Sequence, residues 1–181
     1  MSKARDLANA STALSAVSAT ELGYVDGVTS AIQTQLNTKA SSSTPTLTSP
    51  IIISPEERTT VSATAAATTV NFDASTQGVL YYTSNATANW TLNIRGTSGA
   101  TLDSILATGD AITVSFLVTN GSTAYYQTAF QIDGSAVTPK YSGGTAPASG
   151  NASSIDVYTY TIIKTASSTY TVFGAGPIKY A

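Results

Sequence analysis

The sequence predicts a mainly β protein: an antiparallel, jelly-roll-like β-sandwich behind a short N-terminal helical stem. Three observations predict it. After Pro50 the chain runs in short β-branched and aromatic stretches, broken by Gly, Asn, Asp and Ser turns. Before Thr44 it repeats Ala and Leu at helical spacing. Only 10% of the residues are charged, against roughly 25% in ordinary soluble domains. Ser and Thr supply about three residues in ten, so hydroxyls rather than ions wet the surface.

In the arm, residues 1–44, Leu7, Ala10, Leu14 and Val17 follow the 3–4 spacing of a narrow helical seam. Ser18-Ala19-Thr20-Glu21 has the S-x-x-E form of a capping box, so one helix ends there and another begins. Gly23 and Gly27 flank Tyr24-Val25-Asp26 and predict a bend. Asp26 can cap a further helix with Val28, Ile32 and Leu36 on one side, stopping near residues 37–39. Each piece is at or below the ~12–15 residues at which an isolated helix is marginal in water. The seam residues Leu7, Leu14, Val17, Val28, Ile32 and Leu36 therefore need burial from other copies or from a host surface.

Residues 45–55 read as a Ser/Thr/Pro linker and a lead-in strand, Ile51-Ile52-Ile53 fenced by Pro50 and Pro55. Residues 56–181 read as the β-sandwich. Strands are predicted at 70–73, 79–83 and 90–95, the last with Trp90, Leu92 and Ile94 alternating against Thr91, Asn93 and Arg95. Residues 102–106 predict one helical turn, and Gly109-Asp110 restarts the chain. "AITVSFLVTNG" and "TAYYQTAFQIDG" predict a hairpin across Asn120-Gly121. Asp133-Gly134 predicts a tight turn into 136–141, and residues 142–154 a loop. "IDVYTYTIIKT" and "STYTVFGAG" predict a last hairpin around Ala166-Ser167-Ser168. The expected core is Phe72, Leu80, Trp90, Ile94, Phe116, Val118, Phe130, Ile132, Val157, Ile162 and Val172.

Catalysis is hard to build here. The chain has no His and no Cys, so the usual general base and the strongest nucleophile are missing, with disulfides and zinc thiolates. Among ten acidic residues only Glu56-Glu57 are adjacent, and neighbours in an extended segment point opposite ways. Asp103, Asp110 and Asp133 sit where caps and turns use acids. No calcium-loop or phosphate-loop spacing occurs, so neither cofactor nor metal is expected. A net charge of −2 makes no case for nucleic acid. The longest aliphatic run is three residues, so no membrane insertion is expected, and with no apolar h-region near the N-terminus no signal peptide is expected either. Ten tyrosines exceed what one small core needs. In Tyr81-Tyr82 and Tyr125-Tyr126 one ring of each pair points outward from a strand, and with Tyr141 these can pack on a subunit or stack on a sugar.

"SATELGYVDGVTSAIQTQLNTKAS" resembles the helical module of fibre-type virion proteins of tailed bacteriophages. "TTVNFDASTQGVLYYTSNATANWTLNIRG", "GDAITVSFLVTNGSTAYYQTAFQIDG" and "YSGGTAPASGNASSIDVYTYTIIKTA" are similar to a C-terminal β-domain of tail-fibre-like proteins in phages of marine bacteria, cyanophages among them. The resemblance implies a homotrimer in the virion, with the six seam residues lining a threefold stem and the β-domains forming a knob. The stem is at most about 60 Å long at 1.5 Å per residue, which suits a short fibre, a neck appendage or a capsid protrusion. The expected function is a non-enzymatic virion structural protein whose arm trimerises and docks on another virion protein. The alternative is a recognition module for host-surface glycan at a fibre tip.

Overall fold

The computed structural model describes residues 3–5, 18–24, 26, 28, 51 and 53–181. The chain divides into two units, Met1–Ile53 and Ser54–Ala181. Within the first, helix α1 (Ala19–Gly23) opens with the expected capping box. The Ser18 backbone N–H donates to Glu21 Oε2 (2.7 Å), and the Glu21 N–H donates to Ser18 Oγ (3.2 Å). The Ser18 N–H, then the Ser18 hydroxyl (2.7 Å), donate to the Glu21 carboxylate, favour its ionised form and hold the Glu21 pKa below its ordinary value. Of the seam residues, Val28 is exposed; Leu7, Leu14, Val17, Ile32 and Leu36 lie outside the described residues.

The second unit holds ten strands among the described residues: β1 (Thr59–Ala65), β2 (Thr68–Asp73), β3 (Val79–Asn85), β4 (Trp90–Arg95), β5 (Ala111–Asn120), β6 (Gln127–Ile132), β7 (Ser135–Ala136), β8 (Lys140–Tyr141), β9 (Ser154–Ala166) and β10 (Thr169–Tyr180). Helix α2 (Leu102–Ile105) joins β4 to β5, as the spacing predicts. One sheet, here sheet A, has the order β1-β3-β5-β9-β10-β8; sheet B has the order β2-β4-β6-β7. The mainly β, two-sheet expectation holds.

Strand direction departs from it. The chain alternates between sheets from β1 to β6, so β1/β3, β3/β5, β2/β4 and β4/β6 all pair in parallel, as does β10/β8. Only β5/β9, β9/β10 and β6/β7 are antiparallel. The first six strands form three turns of a flattened coil, not a jelly roll of antiparallel strands. The Asn120-Gly121 hairpin is corrected accordingly: β5 lies in sheet A and β6 in sheet B, and residues 121–126 cross between them. A two-residue turn signal reports local backbone freedom, not which sheet receives the next strand. Tyr125 and Tyr126 thus lie on that crossing rather than on opposite faces of a strand. The lead-in strand is corrected too. Ile51 and Ile53 lie outside any strand, and β1 is the hydroxyl-rich "TTVSATA".

Two predicted hairpins stand. Asp133 and Gly134, both with positive φ (50° and 80°), turn β6 into β7, a conformation open to Gly and tolerated by Asp. Ser167-Ser168 turns β9 into β10.

The core lies between the sheets. Trp90 of sheet B meets Phe116 and Tyr158 of sheet A edge-on, with ring centroids 6.0 and 5.9 Å apart. Phe130 meets Tyr160 at 4.6 Å. Ten of the eleven predicted core residues are buried; Val157 is not. In β9 the inward positions are Ser154, Asp156, Tyr158, Tyr160, Ile162 and Lys164, so Val157 points away from the core. Val157 and Ile162 are five residues apart and cannot share a face in a strand of period two. The outer face of sheet B is polar. Asn93 Nδ2 donates to Asn71 Oδ1 (2.8 Å), continuing the row with Gln131, and Arg95 pairs with Asp73 at 2.5 Å.

Candidate functional site

The predicted tyrosines separate in space. Tyr81, paired across the strands with Val61 and Leu117, faces away from the core on sheet A. Tyr82 faces inward, its ring 5.3 Å from Phe116 and nearly perpendicular to it. Burial, with Asp73 nearby, raises the Tyr82 pKa. Tyr125 packs on the core, and its carbonyl accepts from Asn120 Nδ2 (3.0 Å). Tyr126 is half-buried, tied through its backbone to Asn89 and Trp90. Tyr141 lines a cleft.

That cleft, about 310 Å³, runs along β6 beneath the 136–147 segment. Gln127, Thr128 and Phe130 form one wall; Val137, Pro139, Tyr141 and Pro147 form the other. No charged side chain lines it. Gly174 makes it possible. A Cβ there would stand 2.7 Å from Tyr141 Cε1 and 2.8 Å from Tyr160 Cε1, so only a bare Cα lets both rings lie on β10. The two tyrosine hydroxyls are 3.3 Å apart, and the Tyr160 hydroxyl donates to Gln127 Oε1 (2.9 Å). Since Tyr160 spends its hydrogen on Gln127, Tyr141 donates to Tyr160 and keeps its lone pairs for a ligand. Burial raises the pKa of Tyr141, and far more that of Tyr160, so both stay neutral hydroxyls. Aromatic, proline and hydroxyl groups without charge suit a neutral ligand with one apolar face, such as a sugar ring.

The aspartates of the β-unit are engaged in structure. Asp133 accepts from the Leu102 and Asp103 N–H groups at the start of α2 (2.7 and 3.2 Å). Asp103 meets the Lys164 ammonium at 2.8 Å. Asp110 accepts from the Ala107 N–H. Asp156 is fully buried, with its carboxylate held by Asn120 Nδ2, the Asn151 N–H and Asn151 Nδ2 (2.8–3.1 Å). That cluster ties the start of β9 to the end of β5 and to the loop before it. Among the described residues no group of three or more His, Cys, Asp or Glu could hold a metal ion.

Sequence reasoning missed Gln127, Phe130, Pro139 and Pro147 as partners of Tyr141, and the inward Asp156 and Lys164. The signal for the last two was their even spacing with Tyr158, Tyr160 and Ile162. Among known proteins, no family model, no curated protein and no solved structure matches the chain. The fold and site define a two-sheet β-unit with an uncharged aromatic cleft.

Proposed function

We propose that the chain is a non-enzymatic structural protein of a bacteriophage virion: a short fibre or appendage that trimerises and docks through its N-terminal arm and displays the β-unit. One observation carries this reading. A unit holding the S-x-x-E-capped helix precedes a hydroxyl-rich β-unit whose five aspartates are all engaged in caps, turns and pairs rather than gathered at a cleft. The phage-fibre resemblance of both stretches supports it. The native mass of the full-length chain tests it, three copies being expected and one copy overturning it. Deletion of residues 1–44 should also abolish incorporation into particles.

The cleft at Tyr141 favours a second reading, recognition of a neutral host-surface glycan. Glycan-array binding lost on Tyr141→Ala would support it, whereas array silence with unchanged adsorption would remove it.

A further inference from the structure

Sheet A has one face on the core and one turned outward, and the outward face carries a continuous apolar row. Strand register sets Val61, Tyr81, Leu117, Val157 and Ile178 side by side across β1, β3, β5, β9 and β10. Val61 is 64% exposed and Ile178 48%. A flanking row runs through Thr113 and Thr161, whose hydroxyls lie 3.1 Å apart, to Phe173, also 48% exposed, and on to Lys140 of β8.

Charge stands at one edge of this face, where the exposed Lys140 of β8 pairs with Phe173 and shares its outward side. The charged residues of the five strands are Asp156, Lys164 and Lys179. The first two are buried on the inward side, and Lys179 pairs with Asp156 and shares its side. The outer face of sheet B is different, with its Asp73–Arg95 pair and its amide row.

The five strands are 7, 7, 10, 13 and 12 residues long. At ~3.3 Å per residue and ~4.8 Å between strands they present about 780 Å² of sheet. A standard interface covers about 800 Å² on each partner, and this face has that extent, with its apolar row set among the hydroxyls of Thr113, Ser115, Thr159 and Thr161. Away from that edge the occupant must bring an uncharged, gently twisted surface. Anionic membranes and nucleic acids do not. The same face of other copies does, about 10 Å from sheet to sheet, with no charge in its central rows to desolvate.

We propose that this face of sheet A is where the β-units of separate copies of the chain pack on one another. The inference rests on the self-assembling reading above and adds a contact independent of the arm.

The chain has no cysteine, so single thiols report the face cleanly. Thr159 lies on the outer face of sheet A and Thr91 on that of sheet B, and both are half-buried in the single chain. In the full-length oligomer, Thr159→Cys is expected to be protected from maleimide while Thr91→Cys is labelled. The protection should be lost when Leu117→Lys is added, with the melting curve checked to show that the variant folds. Equal labelling of the two thiols in an oligomeric chain would overturn this inference and leave the arm-driven assembly standing. A monomeric wild-type chain would overturn both.

Discussion

The Lys164 ammonium lies 2.8 Å from the Asp103 carboxylate and donates to the carbonyl oxygens of Asp103 (2.6 Å) and Leu106 (2.9 Å). One β9 side chain thereby closes the C-terminal end of α2, while Asp133 closes its N-terminal end from the β6–β7 turn. A four-residue helix has no stability of its own; it is held by one side chain from β9 and one from the β6–β7 turn. Replacing Lys164 with Met leaves those carbonyls and the carboxylate without their donor. Urea unfolding should show a loss of about 2 kcal/mol.

Acid should act on the same pair. The Lys164 ammonium, then the Ser168 N–H, favour the charged carboxylate, so the Asp103 pKa is lowered from its ordinary 3.8. A depressed folded-state pKa stabilises above the unfolded value and is lost as the pH falls through the folded one. The urea midpoint should hold from neutral pH to about the ordinary carboxyl range and then fall. In Lys164→Met that fall should be shallower.

Alkali should act through the tyrosines. Burial raises the pKa of Tyr82, Tyr141, Tyr158, Tyr160 and Tyr170, the last to about 12. A raised folded-state pKa means stability is complete below the unfolded value of 10.0 and is lost as the pH climbs past the folded ones. Ultraviolet titration should show tyrosinate forming in two stages, the second coinciding with unfolding and absent from the urea-denatured chain.

Gly174→Ala places a methyl against the rings of Tyr141 and Tyr160. Overpacking of this kind costs about 1–3 kcal/mol. Gly99→Ala, which meets nothing within 4 Å, is the matched control and should be close to neutral. Denaturant midpoints of the two variants decide the point.

Asn93 is buried in the polar row of sheet B. It donates to Asn71 and accepts from the Gly134 N–H at 2.9 Å. Asn93→Ala should destabilise by about 1 kcal/mol, because two part-buried bonds are lost while their exposed partners, Asn71 and Gly134, can turn to water. Asn71→Ala, at the exposed edge, should cost less.

Much of the local structure was readable. The capping box at Ser18, the turn at Asp133-Gly134, the single helical turn at 102–105 and the last hairpin all sit where their residues place them. Of the site, Tyr141 was named, but its partners come from β6, the 136–147 segment and β10, and no short-range pattern joins them. β1 escaped notice because Thr, Ser and Ala carry little apolar signal, and β1 is an edge strand whose residues are mostly exposed.

Caps, turns and the two-residue alternation of strands depend on neighbours within a few positions, so Trp90, Leu92 and Ile94 announce a buried face on their own. Direction and partnership do not. A short extended segment reads alike whether its neighbour runs parallel or antiparallel, and "IDVYTYTIIKT" alternates acceptably in either phase. What puts Tyr158 and Tyr160 inside and Val157 outside is the space left beside Trp90, Phe130 and Gly174, together with polar partners for Asp156 and Lys164. Those partners lie up to 61 residues away along the chain, and they meet only once both sheets have closed on the core.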